Sequence, residues 1–171
     1  MPRISKEQYY LNIAREVAAR STCLRRKYGA VIVNNDQIIS TGYCGAPRDT
    51  VNCVDIGICI RKQMNIKHGE HYEWCRSVHA EQNAIIHASR LEMLNSTLYL
   101  VGLDAETDEL LSISEPCKIC KRQIINAGIK YVVTLHHNKV NKIDVKKEWT
   151  DKNIGEIQKI NGEWVSMINK D

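Results

Sequence analysis

Residues 116–135 read PCKICKRQIINAGIKYVVTL, and this helix-then-strand unit decides the fold class. Its pattern predicts a helix over 117–127, which begins after Pro116 and ends at Gly128, because glycine readily closes the last turn of a helix. Residues 129–135 follow as a strand with a nearly continuous apolar centre. Such a centre is typical of a strand in a sheet that is covered on both faces. The unit therefore indicates an α/β protein.

The rest of the chain supplies further helix and strand patterns. A helix starts at Ser5, with Gln8 in the capping-box position. The full set comprises helices over 5–18 and 79–89 and strands over 30–33, 37–41 and 97–101. Polar turn residues join the first two strands, which predicts a β-hairpin. This order predicts an α/β sandwich: a mixed sheet with an antiparallel hairpin at one side and helices on both faces.

A single domain is expected over residues 1–171, because this length fits one hydrophobic core and no linker or repeat interrupts it. Residues 44–78 lack a regular pattern and are rich in Cys, His, Gly and charge, which is typical of a functional or cross-linked segment. Residues 136–171 begin polar and basic. They then carry apolar residues that suit a packed C-terminal extension: Trp149, Ile154, Ile157, Ile160, Trp164, Val165 and Ile168.

The composition narrows the functional classes. No apolar run approaches the ~20 residues needed to cross a bilayer, and the N-terminal residues turn polar at once, unlike a secretory signal. We therefore expect a cytoplasmic protein with no membrane partner. Seven cysteines are an odd number, and clustered Cys and His in such a protein indicate metal binding rather than disulfides. The formal net charge of +4 is compatible with a phosphorylated substrate and makes a nucleic-acid partner unlikely.

Two short motifs stand at the starts of predicted helices: HAE at 79–81 and PCKIC at 116–120. His79, Cys117 and Cys120 offer an imidazole and two thiolates, which leaves the fourth tetrahedral position of a zinc ion open. Glu81 is placed beside that position, where a carboxylate can carry protons. H-x-E followed by P-C-x-x-C is the known signature of zinc-dependent nucleobase deaminases. We predict a catalytic Zn²⁺ on the three ligands and a general acid/base at Glu81.

On these motifs the chain resembles the deoxycytidylate (dCMP) deaminase family of the cytidine deaminase-like fold, over about residues 5–135. The matching segments are KYGAVI (27–32), STGY (40–43), GAPR (45–48), HAEQNAI (79–85) and AGI (127–129). The resemblance implies a three-layer α/β/α sandwich with a five-stranded sheet. It also implies hydrolysis of dCMP to dUMP and ammonia, and a homo-oligomer (dimer to hexamer). Two departures are Cys44, where members commonly have a sugar-contacting Asn, and a longer segment over 101–115.

The same resemblance implies a second, structural Zn²⁺ in the irregular segment. The best-matching positions are Cys23, Cys53, His71 and Cys75. His71 and Cys75 are spaced so that both can converge on one ion. The alternative is a set of free, partly buried thiols, because Cys often packs as a small apolar residue. Cys44 and Cys59 are expected to bind no metal.

A nucleotide substrate requires cations or helix N-termini for its phosphate. Arg48, in the matching GAPR segment, is the preferred contact, and Arg25 and Arg26 are further candidates. The alternative for each is a solvated surface arginine. Asn34 and Asn52 are candidate sugar contacts, although Asn34 also suits a plain turn.

Two competing functions share parts of this pattern. A tRNA adenosine deaminase has the same zinc motifs and often a Glu before Pro-Cys, as Glu115 stands here. Three features argue against a tRNA adenosine deaminase: the Cys/His-rich insertion, the Gly42-Tyr43 pair that ends the hairpin, and the modest net charge. A non-catalytic binding module stapled by zinc is the other alternative. Glu81 argues against that reading, because a structural site has no use for an unliganded carboxylate beside the ion.

Overall fold

A five-stranded mixed sheet forms the centre of the protein in a computed structural model, which describes residues 2–67 and 69–168. The strands lie in the order β2–β1–β3–β4–β5. Their bounds are β1 Arg26–Asn34, β2 Gln37–Tyr43, β3 Thr97–Asp104, β4 Tyr131–His136 and β5 Lys139–Asp144. Strands β3 and β4 pair in parallel, and the other neighbours pair antiparallel. The predicted mixed sheet and its antiparallel hairpin at one side are confirmed.

Six α-helices accompany the sheet in the described part of the chain. They are α1 Lys6–Ala19, α2 Cys53–Ile56, α3 Ile60–Gln63, α4 Ala80–Ile86, α5 Arg90–Met93 and α6 Lys118–Ala127. Short 3₁₀ turns at Tyr72–Trp74 and Asn153–Gly155, a π-helical turn at Lys146–Thr150 and the hairpin strands β6 Ile157–Ile160 and β7 Glu163–Ser166 complete the set. Over 2–67 and 69–168, none of the helices combines the length and the apolar character that a membrane crossing requires.

Apolar side chains cover both faces of the sheet, because successive residues of a strand point to opposite sides. Val31 and its neighbours on one face pack with Leu11 and Ala14 of α1. Ile32 on the other face packs with Ala84 of α4 and Ile124 of α6. The result is the expected three-layer α/β/α sandwich.

Helix α4 lies directly on strand β2 at Gly42. A Cβ atom at this glycine would meet the carbonyl oxygen of Ala80 and the backbone nitrogen of Ala84, each at 2.3 Å. Helix α1 approaches β1 in the same way at Gly29. These contacts leave no room for a methyl group, so they fix how far each helix stands from the sheet. The position of α4 matters most, because this helix carries the HAE motif.

The C-terminal extension differs from the expectation in two respects. Residues 139–144 form the fifth strand, which is polar and lies at the edge of the sheet. Trp149 is buried against the core as expected, and Ile154 packs partly against it. The remaining apolar residues are exposed: Ile157, Ile160, Trp164, Val165 and Ile168. The prediction of a packed extension was wrong for these five, because an isolated two-stranded hairpin has no partner layer to cover it.

The contact at Gly42 predicts a large effect of a small substitution. Gly42→Ala should lower the free energy of unfolding by about 1–3 kcal/mol, because the added methyl group must push α4 away from β2. Urea denaturation measures this difference. Thr41→Ala, at the exposed neighbouring position, is the matched control and should cost less than about 1 kcal/mol. Equal stability of Gly42→Ala and the native protein would contradict the role assigned to this contact.

Candidate active site

The N-termini of α4 and α6 meet on one face of the sheet and bring the two motifs together. His79 is the residue before α4, and its backbone N–H donates to Oε1 of Gln82 at 2.9 Å. Cys117 is the N-cap of α6, and its Sγ accepts from the backbone N–H of Cys120 at 3.5 Å. The N-terminal end of a helix carries partial positive charge, which favours negatively charged sulfur.

Three donor atoms form a compact set that fits zinc. Nδ1 of His79 lies 3.5 Å from Sγ of Cys117 and 3.4 Å from Sγ of Cys120. Tetrahedral zinc with Zn–N near 2.0–2.1 Å and Zn–S near 2.3 Å requires N···S separations of about 3.5 Å. In the described residues, this is the one group of three or more His, Cys, Asp or Glu donor atoms within 4.8 Å of one another. The protein supplies three ligands, so the fourth position stays available for water or substrate.

The two thiols differ in their readiness to lose a proton. Hydrogen bonding with Cys120, and then with His79, lowers the pKa of Cys117 to about 4, although burial opposes the shift. The contact with Cys117, followed by burial, raises the pKa of Cys120. Cys117 is therefore already a thiolate at neutral pH, which is the form that binds metal.

Glu81 is a nearly fully buried carboxyl group, with 4% of its surface exposed. Burial raises its pKa, and the nearby imidazole of His79 opposes that shift. The carboxyl group also interacts with the thiol of Cys120. Burial therefore makes the protonated form of this carboxyl group easier to reach than it is in water, and a positioned carboxyl group can act as a general acid/base. Glu81 lines the same cavity as His79 and Cys117, which gives its carboxyl group access to whatever binds there.

A cavity of about 240 Å³ opens over these residues. Its described lining includes Arg25, Arg26, Tyr28, Cys44, Arg61, Tyr72, Glu115 and Pro116 in addition to the motif residues. Burial raises the pKa of Tyr28 to about 12, so this phenol stays protonated. Arg25 and Arg26 in this lining offer cationic groups to an anionic ligand.

The structure separates the predicted substrate contacts into two groups. Arg25 and Arg26 line the cavity, whereas Arg48 is exposed in the turn after β2 and is not part of the described lining. Asn52 precedes α2, and its Nδ2 donates to Oδ2 of Asp55 at 2.9 Å.

Asn34 is a correction to the expected sugar contacts. It ends β1, whereas the cavity is lined by Arg26, where β1 begins. Its Nδ2 donates to the carbonyl oxygen of Glu92 at 2.7 Å. The side chain therefore links the end of the hairpin to α5. This position fits the interpretation of Asn34 as a turn residue better than that of a sugar contact.

Arg61, Tyr28 and Tyr72 are cavity residues that the sequence analysis missed. Arg61 and Tyr72 belong to the irregular segment, which offered no periodic pattern to place them. Tyr28 lay just before the apolar run used to predict β1. A buried charge cannot be recognised from composition alone, so no signal in the sequence identified Arg61.

The residues proposed for a second metal are only partly brought together. Burial raises the pKa of Cys53. The neighbouring groups that add to this rise are the thiols of Cys23, Cys59 and Cys75. His71 is engaged elsewhere: its Nδ1 lies 3.0 Å from Oε1 of Glu73, and its ring stacks on Trp74. The second zinc site therefore stays a prediction, and Cys59 is a further thiol in the surroundings of Cys53.

Comparison with known proteins identifies similar chains. The model of the "Cytidine and deoxycytidylate deaminase zinc-binding region" matches residues 4–136. Deoxycytidylate deaminase of Schizosaccharomyces pombe is 34% identical over 131 residues, which cover 77% of this chain and 37% of that protein. Deoxycytidylate deaminase of Mycobacterium phage D29 is 34% identical over 138 residues, covering 78% and 96%. The chain thus spans little more than a third of the fungal relative and nearly all of the phage relative.

Solved structures show the same fold. The apo structure of dCMP deaminase from the cyanophage S-TIM5 superposes with a TM-score of 0.53 at 25% identity, covering 78% of this chain and 84% of that one. The structure of the same enzyme in complex with dCMP and dUMP gives a TM-score of 0.50, also at 25% identity, and covers 77% and 83%.

The ligand geometry predicts at least one zinc per purified chain. Cys117→Ser and Cys120→Ser should each remove most of this metal, because a hydroxyl group is a poor zinc ligand at neutral pH. Elemental analysis of dialysed protein measures the stoichiometry. Cys44→Ser, which changes a buried thiol outside the ligand set, is the control and should keep the zinc. Native protein that is active without zinc would contradict the assignment.

Proposed function

The chain belongs to the cytidine and deoxycytidylate deaminase family, and from this premise we propose that it hydrolyses dCMP to dUMP and ammonia. One observation carries the proposal: the buried carboxyl group of Glu81 lies beside the His79, Cys117 and Cys120 donor set in a cavity lined by arginines. The relatives named deoxycytidylate deaminase support dCMP as the substrate.

Zn²⁺ is the cofactor that the three donor atoms fit. When bound, it supplies Lewis acidity that allows water to act as a nucleophile near neutral pH. His79, Cys117 and Cys120 hold it and leave one position free.

Glu81 carries the protons of the reaction. Its carboxylate takes a proton from the attacking water and delivers it to ring nitrogen N3 of the cytosine, while the new C–O bond forms at C4. The same group then passes the second proton of that water to the departing amino group as the C–N bond breaks. Water is consumed, ammonia is released, and the carboxylate returns to its starting state.

Arg25 and Arg26 are the proposed contacts of the substrate phosphate. Both line the cavity, and an arginine guanidinium binds phosphate oxygens with two parallel hydrogen bonds. Arg48 is a weaker candidate because of its position outside the described lining. The side chain of Cys44 reaches the cavity at the position where family members commonly have a sugar-contacting Asn.

The alternatives are separated by a substrate panel. Ammonia release should be measured with dCMP, CMP, deoxycytidine, dCTP and an adenosine-containing RNA stem-loop. The proposal expects dCMP to give the highest kcat/KM. Turnover of the stem-loop alone would favour a tRNA adenosine deaminase, with Glu115 in the cavity wall. A protein that binds zinc and turns over none of the five would be a non-catalytic module.

The remaining proposals concern assembly, metal content and location. We expect a homo-oligomer, between dimer and hexamer, and the exposed apolar side chains of Ile86 and Leu91 support a subunit contact near α4 and α5. Light scattering coupled to size-exclusion chromatography tests the oligomeric state.

We also keep the proposal of a second, structural Zn²⁺ with Cys23, Cys53 and Cys75 as ligands. Elemental analysis of Cys59→Ser and His71→Ala variants decides which of the two residues is the fourth ligand of this ion. A cytoplasmic location also stays part of the proposal.

Glu81→Gln should abolish nearly all turnover while the protein stays folded and keeps its zinc. Proton transfer by a positioned side chain contributes about 10²–10⁴-fold to the rate, and the amide cannot take part. Steady-state ammonia release gives kcat, and elemental analysis of the same sample confirms the metal. Full activity in this variant would remove Glu81 from the mechanism.

Arg25→Ala or Arg26→Ala should selectively weaken use of the nucleotide. Losing one charge-assisted bond of about 1.5–3 kcal/mol lowers kcat/KM for dCMP by roughly 10- to 150-fold. Deoxycytidine should be almost unaffected because it has no phosphate. Arg15→Ala, at an exposed position of α1 outside the described cavity lining, is the matched control, and kinetics with both substrates complete the comparison. An equal loss on both substrates would show that the arginine is structural.

A further inference from the structure

Arg61 is a buried cation, and within residues 2–67 and 69–168 its hydrogen bonds go to backbone carbonyl groups. The side chain belongs to α3 and has only 4% of its surface exposed. Its Nη1 donates to the carbonyl oxygens of Glu70 and His71, the latter at 2.7 Å, and its Nη2 donates to that of Lys67 at 2.7 Å. None of the ion pairs within residues 2–67 and 69–168 includes Arg61.

This arrangement is costly for stability alone. Removing a charge from water is unfavourable unless a partner compensates, and neutral carbonyl groups compensate less than a carboxylate does. An apolar residue of similar volume would avoid the penalty for the charge, but it would leave the carbonyl groups of Lys67, Glu70 and His71 without these donors. The position of Arg61 therefore calls for an explanation in terms of what its three carbonyl partners hold in place.

The carbonyl partners lie on the chain that leads into Tyr72. His71, directly before it, has a left-handed backbone with φ 44° and ψ 51°, which is unfavourable for a residue other than glycine. The bond from Arg61 to the His71 carbonyl fixes this conformation. A residue held in a rare conformation by a long-range contact is expected to move when that contact is lost.

Tyr72 connects Arg61 to the metal ligand. Cζ of Arg61 lies 4.9 Å from the centre of the Tyr72 ring, within the range of cation–π attraction. The Tyr72 ring meets the His79 ring edge to face, with 5.2 Å between centroids. All three side chains line the active-site cavity. Arg61, Tyr72 and His79 thus form a continuous stack in its wall.

We infer that Arg61 is a positioning residue: it fixes Tyr72 against His79 and so orients the imidazole for metal binding and shapes the wall that faces the substrate. The contact of Arg61 within this stack is with the Tyr72 ring, so Arg61 acts on His79 through Tyr72. The catalytic part of this inference rests on the proposed deaminase function, whereas the effect on metal retention does not.

The test uses the zinc-loaded protein and measures the rate of zinc release to a colorimetric chelator. Arg61→Met keeps the length of the side chain and removes its charge and donors. Zinc release should accelerate by about 10- to 100-fold, the usual effect of losing a residue that orients a metal ligand. Lys62→Met removes the same charge from the exposed neighbour on α3 and should release zinc at the native rate. Circular dichroism and thermal unfolding establish that each variant is folded.

A double-mutant cycle separates positioning through Tyr72 from general destabilisation. Tyr72→Ala should accelerate zinc release as Arg61→Met does, and the two changes together should add little more. Tyr72→Phe, which keeps the ring, should stay close to native. Arg61→Lys keeps a cation but offers fewer simultaneous bonds, and it should fall in between. Additive effects of Arg61→Met and Tyr72→Ala would overturn the inference, as would an unchanged release rate.

Kinetics distinguish positioning from direct substrate binding. Positioning predicts that Arg61→Met lowers kcat by the same factor for dCMP and deoxycytidine. A loss confined to KM for dCMP would mean that Arg61 binds the phosphate, and it would overturn the inference. If the native protein turned over neither compound, the proposed function would fail, and the zinc-release comparison would still decide the role of Arg61.

Discussion

Helix α4 touches the backbone of strand β2 where Gly42 leaves no side chain between them, and the active site depends on that contact. His79 precedes this helix and Glu81 lies in its first turn, so the distance between helix and sheet sets the height of both groups over the cavity. Helix α6 packs beside α4 on the same core and carries Cys117 at its start. The packing of these helices on the sheet therefore positions the donor set, and ligands held by packing in this way lose little further entropy when they bind a metal.

Motifs at helix ends could be read from the sequence because their chemistry is local. His79, Glu81, Cys117 and Cys120 each occupy a position defined by its own helix start, and the intervening strand β3 indicated that the two helices lie on one sheet. Residues that reach the cavity from the irregular segment could not be found in this way. Arg61 and Tyr72 are placed by long-range contacts to carbonyl groups and rings, and such contacts leave no periodic pattern.

The same distinction accounts for the errors. Asn34 was chosen for its residue type, yet the direction of β1 carries it to the end of the strand away from the cavity. Arg48 was chosen from a matching segment and stays a prediction, because its exposure depends on how the turn after β2 leaves the sheet. The apolar residues of the last hairpin suggested burial, but burial needs an opposing surface as well as an apolar side chain. Residue chemistry indicated what each group could do, and only the topology determined where it lies.

Strand β5 was not predicted from the sequence because its side chains are mostly polar. That polarity affects how the folded protein associates at high concentration. An edge strand exposes unpaired backbone donors and acceptors to which the edge of another molecule can add. Lys139 and Lys142 stand on this edge, and the ammonium group of Lys142 lies 4.8 Å from the ring centre of Tyr131 on the adjacent strand. A second strand approaching there must desolvate and crowd these cations. The polar residues that prevented the prediction of β5 thus also protect this edge of the sheet from edge-to-edge aggregation.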